Sequence, residues 1–245
     1  MMAGQRLRHW FSEPLGRQLL ALEQSSIERV LPNMFGYHIL QLGCLIDADI
    51  LGSSRISHKI LLQLEQDDKN KGDGAFICAG DSLAILSDCM DVIVMPHVLE
   101  FAANPHKLLR EAERVLIGEG HILILGFNPW SLWGVWRLLL AWREKPPWSG
   151  HFYGSARIKD WLSLLDFEIL QTQRFFFRPP LRKINIMQKL NFLEYLGKYC
   201  WPFFGGAYLI VAKKRVIPLT PTKLNWSSRR KVIVAGIAEP GIRLP

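Results

Sequence analysis

MDVIVMPHVLEFAANPHKLLREAERVLIGEGHILILGFNP, residues 90–129, is the stretch on which the fold turns. DVIVMP, residues 91–96, is a short apolar run ended by proline, the length and composition of a buried strand. Pro105 to Ile117 then carries Leu108, Leu109, Ala112, Val115 and Leu116 at helical spacing. Lys107, Arg110, Glu111 and Arg114 fall mostly off that face. Gly118 and Gly120 stop the helical pattern, and Ile122 to Phe127 is apolar again. Two apolar strands joined by one amphipathic helix form a parallel crossover, which buries both faces of a sheet.

The same alternation extends outward. Ser12 to Leu31 reads as a helix, with Ser12 as its cap, Pro14 in its first turn, and Leu15, Leu19, Leu22, Ser26 and Val30 at helical spacing. Strands are expected over Tyr37–Leu42, closed by Gly43, then over His58–Leu64, Ala75–Ala79, Phe167–Phe177 and Ala207–Ala212. Helices are expected over Ala156–Leu165 and Lys183–Tyr199. The whole reads as an α/β domain with a mostly parallel seven-stranded sheet, helices on both faces and an antiparallel edge strand.

Composition agrees with a folded body. The 245 residues are 49% hydrophobic and 21% charged, which excludes a disordered or fibrous chain. Cys44, Cys78, Cys89 and Cys200 lie far apart with no C-x-x-C pair, so neither a zinc ribbon nor a disulfide scaffold is expected, and no metal site is called. The first residues are basic, but no apolar run follows as in a signal peptide, and a cytoplasmic location is expected. The net charge of +8 is uneven. Residues 213–245 hold eight Lys or Arg against the single acid Glu239. The expected organisation is one domain over 1–212, with an N-terminal helix at 12–32, a Trp-rich segment at 128–155 and an insertion at 178–200, followed by a basic, flexible tail over 213–245. A solvated tail is the default reading. Weak contact with an anionic surface, nucleic acid or membrane, is the other.

Residues 122–142, ILILGFNPWSLWGVWRLLLAW, are long enough to span a bilayer. Asn128-Pro129 breaks the run and Arg137 would sit inside it, so it parses better as a strand, a loop and a short helix over residues 131–143. Trp130, Trp133, Trp136 and Trp142 with Arg137 and Arg143 then suit a lid over an apolar substrate, packing at the sheet end, or peripheral contact with a membrane.

Residues 90–101 and 103–129, with AGDSLAIL at 79–86, together resemble the class I S-adenosylmethionine-dependent methyltransferases. In that family an FDVV…HVLEH block precedes a DP-x-x-x-LLREA-x-RVL-x-x-GG-x-L-x-I block. The FGYHILQLG opening and the GFNPWSLWG loop resemble one bacterial branch of it. The resemblance implies a Rossmann-like fold with S-adenosyl-L-methionine at the carboxyl ends of the strands. It places the cofactor against Gly43, Glu65, Asp81, Ser82, Leu83, Pro96 and His97. Gly43 would give the turn, Glu65 would accept from the ribose hydroxyls, Asp81 would accept from the adenine amine, and Ser82 and Leu83 would flank the ring. In the family's glycine-rich first motif this chain keeps Gly43 alone, with Leu45 and Asp47 at glycine positions and Gln41 in place of an acid.

His97 is the candidate catalytic residue, as general base or as a group that shapes the pocket, with a structural histidine as the alternative. Glu100 reads as a cap on the turn that follows. Asn128, Trp130, Trp133 and Trp136 are assigned to the substrate mouth. Asn128-Pro129 follows the fifth strand, so it is not the NPP[YF] motif of amino-group methyltransferases. Three functions remain open: a methyltransferase for a small or lipid-like substrate, a binding or scaffold module that has lost catalysis, and a nucleic-acid methyltransferase using the tail.

Overall fold

In a computed structural model, residues 3–43, 50–63, 75–77, 82–140, 147–180 and 203–216 are described, with 197, 199, 201 and 241 singly. Seven strands form one sheet: β1 His38–Leu42, β2 His58–Gln63, β3 Ala75–Ile77, β4 Met90–Pro96, β5 Leu116–Phe127, β6 Phe167–Phe175 and β7 Ala207–Lys214. Their order is β3-β2-β1-β4-β5-β7-β6. The first five strands are parallel, and β7 runs antiparallel between β5 and β6. The direction of winding reverses between β1 and β4, which places the switch point beside Gly43.

Strand alternation sorts the core into two layers. Val92 and Val94 of β4, with Leu123 and Leu125 of β5, face α1 (Ala3–Ser12) and α2 (Pro14–Ile27). Ile93 and Met95, with Ile122 and Ile124, face α3 (Pro105–Val115) and α5 (Ser155–Leu164). The α3 helix starts where Asn104 Oδ1 accepts the Lys107 N–H at 3.1 Å, with Pro105 in the first turn.

Three expectations need correcting. Residues 12–31 are not one helix. Ser12 closes α1, its hydroxyl donating to His9 O at 2.6 Å, and α2 begins at Pro14 with Glu13 at the cap position. Gly16 makes the tight corner possible, because a Cβ there would stand 2.4 Å from Trp10 O. Secondly, Gly118 and Gly120 do not follow a helix end but lie within β5. Between the pairs Met90↔Leu116 and Val92↔His121 the strand bulges, and Glu119 takes φ +66° there. Thirdly, the folded body does not stop at residue 212. Lys213 and Lys214 are in β7. Lys213 pairs with Glu119, Lys214 Nζ reaches Glu113 at 2.9 Å, and Arg215 Nε reaches Glu168 at 3.0 Å. Three of the basic residues assigned to the tail are therefore bound to the sheet; residues 217–240 lie outside the described residues.

Candidate active site

Of the described residues of the expected site, Gly43, Pro96, His97 and Asn128 stand at the carboxyl ends of β1, β4 and β5. At the end of β1, Gly43 takes φ +82°, and its N–H donates to Leu62 O at 2.7 Å. A side chain is strained at that φ, so glycine is required there and backbone is free to meet a ligand closely. The buried Gln41 amide donates to Gly43 O at 3.3 Å and braces the same turn. Glu65 and Asp81 lie outside the described residues. Ser82 is exposed. Leu83 is buried with β4 and α3, and its N–H donates to Glu111 Oε2 at 3.0 Å. Pro96 ends β4, buried and in register with Leu125.

His97 is fully buried and sits at φ +51°, a conformation that costs a non-glycine residue roughly 1–2 kcal/mol. Two carboxylates offset that cost. His97 Nε2 lies 2.7 Å from Glu23 Oε1, and His97 Nδ1 lies 3.4 Å from Glu100 Oε1. The ring is packed between Phe11 and Phe127, at 5.6 and 4.2 Å between centroids. Desolvation pulls the His97 pKa down, but the charge of Glu23, the hydrogen bond to it and the nearby Glu100 carboxylate outweigh it and hold the pKa up at about 10. His97 is sealed from solvent and does not line the cleft, which favours the structural histidine over the general base. It is a buried cation that ties α2 to the exit of β4.

Glu100 does more than cap a turn. Its Oε1 also accepts the Phe127 N–H at 2.8 Å and so joins the exits of β4 and β5. Glu23 was not foreseen. Its one signal is position: it stands four residues after Leu19 on the apolar stripe of α2, where an acid needs a partner. Glu23 Oε2 and Glu100 Oε2 are buried and accept no hydrogen bond among the described residues.

The tryptophans divide. Trp133 is not part of the mouth. It is 1% exposed, and its ring meets Trp10, Phe127, Trp148 and Phe176. Its indole N–H donates to Arg178 O at 3.1 Å. Trp136 packs half-buried against the same layer. The reason is the short helix α4, Leu132–Leu140, which turns the Trp133 side inward and leaves Leu138 and Leu139 exposed. Trp130 is 77% exposed and lines an open cleft of about 510 Å³, together with Asn128, Tyr153, Arg157, Arg174 and Phe203. Asn128 is its hinge pin: the amide donates to Phe203 O at 2.8 Å and Gly205 O at 3.0 Å, and its oxygen accepts the Trp130 N–H at 3.1 Å.

Among known proteins, the chain is 31% identical over 226 residues to the uncharacterized protein YafS of Escherichia coli K12, covering 90% of this chain and 86% of the relative. This chain belongs to the YafS family. A methyltransferase domain matches residues 54–124, from before β2 into β5. In structure the chain is similar to a SAM-dependent methyltransferase of Thermotoga maritima, with a TM-score of 0.60 and 16% identity over 84% of this chain and 93% of that one. It is also similar to a SAM-dependent methyltransferase of Archaeoglobus fulgidus, with a TM-score of 0.55 and 19% identity over 79% and 94%. The fold of the YafS family member is thus that of a class I methyltransferase, and the domain indicates S-adenosylmethionine as cofactor. The left-handed Gly43 turn at the switch point fits such a group, because it leaves the end of β1 without a Cβ.

Proposed function

We propose that the chain transfers a methyl group from S-adenosylmethionine to a small or lipid-like molecule, in the cytoplasm. The observation that carries this reading is the glycine turn at φ +82° at the switch point of the sheet; the cleft at the ends of β5 and β6 lies farther along the same rim. In this reading Gly43 lets the backbone approach the amino-acid end of the cofactor, Glu65 and Asp81 accept from its ribose and adenine, and Ser82 borders the adenine. The buried Leu83 anchors that segment, and Pro96 and His97 form the floor. S-adenosylmethionine supplies the methyl group on an activated sulfonium. Transfer is an in-line displacement, so the protein needs to align the acceptor and exclude water more than it needs a strong base. A sealed His97 is consistent with that demand, as is a cleft walled by Trp130, Phe152, Tyr153 and Phe203.

No described helix is long and apolar enough to cross a membrane. The basic residues Lys213, Lys214 and Arg215 are held by acids of the folded body, Glu119, Glu113 and Glu168, which weakens the case for a nucleic-acid substrate. The test is transfer of label from methyl-tritiated S-adenosylmethionine into a bacterial extract separated into small-molecule, lipid and nucleic-acid fractions. Label in the small-molecule or lipid fraction is expected. Label confined to nucleic acid, or none, overturns the reading.

A further inference from the structure

The cleft at the ends of β5 and β6 has a charge pattern that the methyl-transfer reading does not use. Arg157 and Arg174 line it, and among the described residues no Asp or Glu does. Lys159 stands close behind: desolvation and the Arg174 charge hold its pKa below the ordinary lysine value. Among the described residues none of these three cations has an acidic partner. Arg174 instead donates to Ser155 Oγ at 2.8 Å and stacks 5.2 Å from the Phe203 ring, and Arg157 stacks 6.0 Å from the Trp161 ring. Some other cations lie against carboxylates, as Arg114 does on Glu111 and Arg215 on Glu168, while Arg55 and Arg137 also stack on rings. Around these charges the wall is aromatic. Phe152 is buried, whereas Trp130 and Phe203 are 77% and 67% exposed.

We propose that this cleft binds an amphipathic acid, a carboxylate or phosphate monoester on an apolar body, with Arg174 and Arg157 meeting the acid and Trp130, Phe152 and Phe203 covering the apolar part. The proposal rests on the methyl-transfer reading for its role, since it names the substrate class, but the binding itself does not depend on it. A planar guanidinium already stacked on a ring is pre-organised, so it loses little freedom on meeting an oxyanion. Two such groups with an unfilled apolar wall discriminate against both a neutral lipid and a bare inorganic anion. Each of those satisfies only half of the site.

The experiment is calorimetric titration of the full chain with decanoate, decyl phosphate, decanol and inorganic phosphate, all below aggregation. A parallel titration uses S-adenosylmethionine. Decanoate or decyl phosphate is expected to bind, and decanol and inorganic phosphate to bind at least about tenfold more weakly. Arg174→Gln and, separately, Arg157→Gln should weaken the acid by about tenfold or more while leaving the affinity for S-adenosylmethionine unchanged. Arg157 is exposed, so its variant keeps the test valid should Arg174→Gln disturb the fold. Equal binding of decanol, acid binding indifferent to both substitutions, or binding only to anionic vesicles and not to the monomeric acids overturns the proposal. Acid binding without S-adenosylmethionine binding sinks the methyl-transfer reading and leaves the acid site standing. The reverse result sinks the acid site alone.

Discussion

Two charged regions lie on the same rim of the sheet and are built in opposite ways. In Glu23–His97–Glu100 a cation is sealed at 0% exposure between two acids and two aromatic rings. In the cleft, Arg157 and Arg174 face an open space with no acid among the described residues. Burying an ion costs several kcal/mol and is tolerated only with close partners, so the first region fixes structure. An unpaired cation beside exposed aromatics keeps its binding capacity for something that arrives. A histidine at the exit of β4 invites a catalytic assignment from sequence, yet here burial makes it a tie between helix and sheet.

The comparison breaks first at the sealed site. Glu23→Leu leaves His97 without its nearer acid and is expected to destabilise the fold by about 3–5 kcal/mol. Chemical denaturation measures it, and a loss under 1 kcal/mol would show that the pair contributes little. The same site predicts a pH dependence. With its folded pKa held at about 10, above the ordinary imidazole value of about 6.5, His97 gives its full contribution below about pH 6.5. That contribution is lost as pH rises towards 10. The denaturation midpoint of the wild type should fall over that window, and that of His97→Asn should fall less.

The two tryptophans sharpen the contrast. Trp133→Ala empties a core position and should cost about 3–5 kcal/mol. Trp130→Ala, at an exposed wall of the cleft, should change stability by no more than about 0.5 kcal/mol. Similar thermal shifts for both would mean that the cleft wall and the core are not distinct. An effect smaller than that of Trp133→Ala is expected at the switch point. Gly43→Ala forces a side chain into the left-handed region at a cost of about 1–2 kcal/mol. It should also weaken S-adenosylmethionine binding, read by tryptophan fluorescence.

Much of the fold was legible because it rests on local periodicity. The β4–α3–β5 unit follows from the apolar spacing over residues 90–127, and strand alternation predicts which residues face each layer. What failed depended on single contacts between distant segments. Ser12 satisfies the cap pattern, but the Gly16 corner decides that two helices meet there. Gly118 and Gly120 look like a helix stop, while the pairing of β5 with β4 turns them into a bulge. At the site, Gly43 was readable from its place after an apolar strand. The partners of His97 were not, because Glu23 lies 74 residues away in sequence. Trp133 and Trp130 are three residues apart and chemically alike. Only the direction of α4 separates core from cleft.

Calorimetric titration of the folded wild-type chain with S-adenosylmethionine at neutral pH puts the greatest weight on a single result. Saturable binding with one cofactor per chain is predicted from the switch-point glycine turn and the methyltransferase domain. A folded protein that takes up none at millimolar concentration would contradict it, and would leave the chain a methyltransferase-like scaffold.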